Sequence, residues 1–283
     1  QRSTRDAIDM TQDYVSLYLN TAYAQDDLLP FLSLVFLFFG RLLPIITLVP
    51  FFGGKVLPRP AKVGLAISLF AVFFPQLMSI TKTPLDFNLQ LVVYLAKEVF
   101  VGLLLGFFLS IPFIIVQTTG MLIDHQRGGA SLMVNDPTIQ NQSSPLGTLY
   151  NLILIYLFFM IDGPFVVLDI LSQSYNILPP DRMFSAGVFD ESSQIMSKIM
   201  GILGNVMILS TQLAAPALIM ILMTDFFLGI ANRLAPQVQI TFLGMPLKSL
   251  LALTIIFFGW QLFNEEIVSQ GYKSLQQMYT LIK

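Results

Sequence analysis

Apolar residues along this chain gather into six long stretches with polar joints between them: Leu28–Phe52, Val63–Ile80, Leu89–Val116, Leu149–Leu171, Ile199–Met223 and Ile240–Phe263. Each is close to or longer than the roughly 20 apolar residues that cross a bilayer as a helix. Lipid offers no partner to a free backbone N–H or C=O, so such runs close their hydrogen bonds internally as helices. The expected fold is all-α: an integral membrane protein of about six kinked, tilted apolar helices. Two longer polar segments, Gln117–Thr148 and Ser172–Lys198, interrupt the pattern. No internal repeat or low-complexity tract divides the chain. Residues 1–283 are therefore expected to form one membrane-embedded domain, with polar segments at 1–27 and 264–283.

Composition sharpens this reading. Of 283 residues, 55% are hydrophobic and 11% charged, with a mean hydropathy of +0.73. A soluble domain carries about 25% charged residues. A net charge of -2 provides no basic groove for nucleic acid. Cysteine is absent and there is a single histidine, His125, so a disulfide framework, a thiolate nucleophile and a Cys-ligated metal are excluded. No cofactor is expected. The first 27 residues lack the basic-then-apolar order of a signal peptide, so insertion is expected to rely on the first apolar helix.

Six prolines fall well inside the apolar stretches: Pro44, Pro75, Pro112, Pro164, Pro216 and Pro246. Each removes a backbone hydrogen bond and crowds the preceding turn. Neighbouring helices or polar side chains must satisfy the freed carbonyl. Charges inside these stretches are a sharper clue. Arg41, Lys97, Glu98, Asp225 and Lys248 each cost roughly 2.5–3.5 kcal/mol at a helix centre on insertion scales. Lys97 and Glu98 point about 100° apart on a helix, so each is expected to find a different partner. Orientation is ambiguous. The basic joint at Lys55, Arg59 and Lys62 argues for the cytoplasmic side, yet with six spans that side would also hold only Arg127 and Arg233. The opposite side would hold Arg2, Arg5, Lys82, Arg182, Lys198, Lys273 and Lys283.

The segment Gln117–Thr148 is the most unusual. Gly128 and Gly129 stop any helix entering through Met121–Gln126, and Asp136-Pro137 and Ser144-Pro145 are turn signals. Small residues and methionine, an adaptable side chain, suit a plug or re-entrant gate inside a pore; an exposed connecting loop is the plainer reading. Asp124 and His125 are adjacent and do not face each other on a helix, and no local motif supplies a nucleophile. Gly102 and Gly106 form a GxxxG spacing suited to helix packing; no phosphate-binding loop or dinucleotide fingerprint is present.

The run TDFFLGIANRLAPQVQITFLGMPLKS, Thr224–Ser249, resembles the C-terminal signature of the type III secretion export-apparatus family SctT/FliR. Its most specific part is the spacing of Asp225, Gly229, Arg233, Pro236 and Gln237, followed by Gly244-Met245-Pro246 and Lys248. Arg41–Leu69 and Lys97–Phe107 follow the same family in the expected order, and the likeness runs from about Phe31 to Leu262. SSPLGTLYNL (Ser143–Leu152) and APQVQI (Ala235–Ile240) look more like the injectisome SctT type than the flagellar FliR type.

The resemblance implies a structural, pore-forming subunit of the export gate in the bacterial inner membrane, passing unfolded proteins and helping to seal the channel at rest. It implies assembly with SctR/FliP-type and SctS/FliQ-type subunits beside SctU/FlhB-type and SctV/FlhA-type neighbours, part of the complex lying above the bilayer plane. It further places a plug role on Arg127, Gly128, Gly129, Ala130, Ser131, Leu132, Met133, Val134 and Asn135. Arg41, Lys97, Glu98, Asp225, Arg233, Pro236, Gln237 and Lys248 are the candidate buried or assembly residues. The alternative is a stand-alone ion-coupled secondary transporter using Glu98 or Asp225 in broken helices.

Overall fold

A computed structural model describes residues 28–52, 58–81, 88–128, 144–183, 194–234, 240–261, 265, 266 and 269. Every element in it is helical: α1 (Leu28–Leu48), a short 3-10 turn (Pro50–Phe52), α2 (Arg59–Ile80), α3 (Leu89–Gln126), α4 (Pro145–Met160), α5 (Gly163–Ile177), α6 (Gln194–Leu234) and α7 (Ile240–Phe258). Among the described residues four helices are long and apolar enough to cross a membrane: α1, α2, α3 and the Gly204–Leu234 part of α6. The pair α4 and α5 makes a fifth if taken as one broken span, and α7 is a shorter apolar helix. This multi-helix membrane architecture agrees with the hydropathy pattern.

The chain divides into two compact units. In the first, α1 buries Leu34, Leu37, Phe38, Leu42, Ile45 and Ile46, and Val49 just after it is buried too. That i, i+3, i+4 stripe is one face of a 3.6-residue helix, and Arg41 sits within it. α5 answers with Val167, Ile170, Leu171, Ser174 and Tyr175. The Phe38 ring stacks on Tyr175 at 5.9 Å and 14°, and meets Phe70 of α2 edge-on at 5.4 Å. Gln76 of α2 bridges to α5, donating to the Ser172 carbonyl at 3.1 Å and accepting from the Ser172 hydroxyl at 3.0 Å. The first part of α3 packs on α1 through Gly102 and Gly106. A Cβ at Gly102 would collide with the Arg41 carbonyl, and one at Gly106 would lie 3.1 Å from Ile45 Cα. The GxxxG spacing thus serves backbone approach, as the sequence suggested.

The second unit takes the rest of α3, with α4, α6 and α7. α4 buries Leu146, Tyr150, Leu154 and Phe158 at four-residue spacing. The buried face of α6 is made of Ser210, Ala214, Ala217, Ile221 and Thr224, mostly small residues. The α3–α6 contact carries a polar stitch: the Thr119 hydroxyl lies 2.8 Å from the Ile115 carbonyl and 3.2 Å from that of Ser210, and the Ser210 hydroxyl 3.2 Å from the Ile115 carbonyl. α6 and α7 pack against each other as consecutive helices.

Three sequence expectations need correction. The third helix does not end at Val116 but runs to Gln126, because the hydroxyl of Thr119, polar but buried, is satisfied by carbonyls in the helix and its neighbour. The fourth stretch is two helices broken at Asp162, whose φ of 57° lies in the left-handed region. Pro164 accordingly sits in the first turn of α5, where a missing N–H leaves nothing unpaired. The other five prolines lie inside helices as expected.

Candidate functional site

The intramembrane charges of the first unit form one buried cluster. Arg41 of α1 and Glu98 of α3 face each other with side chains 0% exposed. The guanidinium donates from Nε to Glu98 Oε2 at 2.5 Å and from Nη2 to Oε1 at 2.9 Å, a two-pronged geometry that matches a carboxylate. Its remaining donors reach Ser174 Oγ at 3.0 Å and the Leu178 carbonyl at 2.8 Å, and its face lies 4.0 Å from the Tyr175 ring centre. Lys97 Nζ sits 2.8 Å from Glu98 Oε1 and donates to the carbonyls of Pro179, Pro180 and Arg182 at 2.9, 3.1 and 2.9 Å. The 100° offset along the helix suggested that Lys97 and Glu98 would pair poorly with each other, yet they form a close ion pair. The long lysine stem curls back to its neighbour's carboxylate, although each residue also holds a separate partner as expected. One carboxylate and two cations, all buried, tie α1, α3, α5 and the turn after α5 together.

In the second unit Asp225 of α6 and Lys248 of α7 form an ion pair, side chains 42% and 21% exposed. An open pocket beside it is lined by Leu228, Gly229, Asn232, Gly244 and Met245. Arg233 is exposed near the end of α6, and Pro236 and Gln237 lie outside the described residues. The structure thus joins five of the eight candidates, three in one buried cluster and two in a partly exposed pair.

Of the candidate plug residues, Arg127 and Gly128 are described; Gly129–Asn135 lie outside the described residues. Gly128, at φ 93°, follows the end of α3, a conformation that glycine adopts without penalty. Sequence reasoning missed the polar contacts between the end of α3 and the start of α4. Asp124, 1% exposed, accepts from Arg127 Nε at 2.7 Å, from Ser144 Oγ at 2.5 Å and from the Leu146 N–H at 2.9 Å. Ser144 also caps α4, its hydroxyl accepting from the Gly147 N–H at 2.9 Å. Arg127 Nη1 donates to Ser249 Oγ of α7 at 3.0 Å. A signal existed: Ser144-Pro145 is an N-cap followed by a proline at the first helical position. Asp124 is not paired with His125, which is exposed. Among the described residues no cluster of three or more His, Cys, Asp or Glu could hold a metal ion.

A sequence profile of the bacterial export proteins, family 1, matches residues 32–271. The chain is 30% identical over 203 residues to the Yop proteins translocation protein T of Yersinia pestis, covering 71% of this chain and 76% of the relative. It is 35% identical over 161 residues to the surface presentation of antigens protein SpaR of Shigella flexneri, 57% of this chain and 60% of the relative. With the flagellar biosynthetic protein FliR of Bacillus subtilis it shares 26% over 223 residues, 78% of this chain and 83% of the relative.

Proposed function

The chain belongs to family 1 of the bacterial export proteins, multi-pass inner-membrane components of the type III secretion export apparatus, and on that premise we propose that it is a structural, pore-forming subunit of the export gate. Its work is to close a ring of helices around a wet path for unfolded proteins and to help seal that path at rest. No covalent chemistry is assigned to it. The higher identity to the relatives named for Yop translocation and antigen presentation than to the flagellar one favours the injectisome type.

The observation that carries this reading is the state of α6 and α7. Only 22% of the most apolar window of α6 is buried inside the chain, against 56% for α3. Phe226, Phe227, Phe257 and Phe258 are exposed, and the Asp225–Lys248 pair on the same two helices is partly exposed. Lipid covers phenylalanine readily but covers an ion pair at a cost. Neighbouring protein subunits satisfy both, and SctR/FliP-type and SctS/FliQ-type chains are the partners proposed, with SctU/FlhB-type and SctV/FlhA-type chains beyond them. Helix length argues likewise. At 1.5 Å per residue, α3 and α6, with 38 and 41 residues, reach roughly 57 and 62 Å, against about 30 Å of hydrocarbon. Helices that outrun the bilayer suit an assembly lying partly above its plane.

The stand-alone transporter has less support. Glu98 is enclosed by two cations and is not exposed, and Asp225 is held by Lys248. Size in mild detergent tests the assembly: a large hetero-complex is expected, and a monomer that binds a small substrate would overturn it. Deleting Gly128–Val134 tests the seal. Small ions are expected to leak through purified, reconstituted gates, and unchanged conductance removes the plug role.

A further inference from the structure

We propose that the turn after α5 is a receptor for a primary ammonium group, a site that the protein fills with its own Lys97. The site stands apart from the export role proposed above, and all of its residues lie in the first unit. α5 ends at Ile177, and Leu178–Arg182 reads LPPDR. The last carbonyls of a helix have no partner within it. Pro179 and Pro180, both buried, continue no helix and bring no N–H of their own. Buried carbonyls without a donor are costly. Donors come instead from the neighbouring helices: Arg41 takes the Leu178 carbonyl, and Lys97 takes those of Pro179, Pro180 and Arg182.

Four oxygens surround Lys97 Nζ. Three are these carbonyls, at 2.9, 3.1 and 2.9 Å, and the fourth is Glu98 Oε1 at 2.8 Å. Contacts other than the ammonium hold them in place. Arg41 grips the Glu98 carboxylate with two bonds. The Leu178 N–H donates to the Ser174 carbonyl at 3.0 Å, and the Arg182 N–H to the Pro179 carbonyl at 3.3 Å. The two proline rings fix their own φ. Every oxygen facing Nζ is an acceptor, and each lies at N–H···O length. That is longer than the roughly 2.0–2.6 Å of magnesium and calcium ligands. A primary ammonium brings three donors and one positive charge, which answers three carbonyls and one carboxylate. The Lys97 side chain, 1% exposed, is thus a tethered ligand in a site built for its head group. Shortening it leaves the same oxygens converging on a space that a free alkylammonium of the lost length fits.

The test is chemical rescue of the full chain, purified in mild detergent and melted under circular dichroism. Lys97→Ala removes the atoms of one n-propylammonium ion. Its melting temperature is expected to fall. n-Propylammonium chloride is expected to restore at least half of that loss and to saturate with concentration, as binding to the folded state alone requires. Choline chloride, which has no N–H donor, and n-propanol, which has no charge, are expected to restore little. No response to n-propylammonium overturns the proposal. An equal response to n-propanol means that the compound only fills a hole, and it also overturns the proposal. An equal response to potassium chloride makes the site one for a spherical cation and refutes the match to N–H donors. The same shift in wild type, where Lys97 occupies the site, places the amine elsewhere and counts against the proposal. Should Lys97→Ala not be recovered folded, Lys97→Met keeps an apolar stem and lacks only the head group. Ammonium chloride is then the probe: a rise in melting that choline chloride does not give is expected, and no rise overturns the receptor.

Discussion

Replacing Glu98 with glutamine isolates the central charge of the first unit. Glu98 accepts two hydrogen bonds from Arg41 and pairs with Lys97, and neither the Arg41 nor the Glu98 side chain is exposed. Glutamine keeps the volume but turns one acceptor into an NH2 donor that faces existing donors. It also leaves two buried cations without a counter-ion. Removing one partner of a buried pair typically costs about 3–5 kcal/mol, much of it the penalty of the stranded charge. Lys97→Met is a different loss. It gives up three carbonyl contacts but leaves a neutral Arg41–Glu98 pair. Glu98→Gln should therefore be the more destabilising change. Thermal melting of the purified protein in mild detergent, followed by circular dichroism, measures this. At roughly 2–4 °C per kcal/mol for chains of 150–250 residues, the drop for Glu98→Gln should be plain. Equal melting of Glu98→Gln and wild type, or a larger loss in Lys97→Met, would refute the argument that charge imbalance dominates.

Two further outcomes follow from packing and exposure. Gly102→Ala is expected to force α1 away from α3, because the new methyl meets the Arg41 carbonyl, whereas Gly106→Ala at 3.1 Å from Ile45 Cα needs a smaller shift; the order of their melting temperatures checks this. Lys248→Met is expected to change the melting of the isolated chain little, since exposed pairs contribute about 0–1 kcal/mol, but to reduce recovery of the hetero-complex on co-purification. Equal recovery would detach the Asp225–Lys248 pair from assembly.

Much of the fold was legible because bilayer-length apolar runs admit few structures. The helices begin and end near the hydropathy boundaries, except where polar residues find partners inside the protein. The polar residues from Gln117 on ended the apolar run without ending α3, since a hydropathy pattern does not see that the Thr119 hydroxyl is bonded to a carbonyl four residues back. The break at Asp162 was written in the sequence as Asp-Gly-Pro, but apolar residues on both sides masked it. Intramembrane charges were visible as costly residues needing partners. That Arg41 would meet Glu98, 57 positions on, was not legible, because pairing across helices depends on tertiary register. The Asp124–Ser144 contact was hidden for the same reason, although the cap at Ser144 carried a local sign.

The joined ends of α3 and α4 also bear on how this part of the chain can diversify. Gly120 is seated against the Gly147 backbone, and Asp124 is bonded to Ser144 and Leu146. Lengthening a connection between two ends already fixed in this way costs little, about 0.6 kcal/mol for each doubling. Added residues at this joint should therefore leave the contact of α3 with α4 in place.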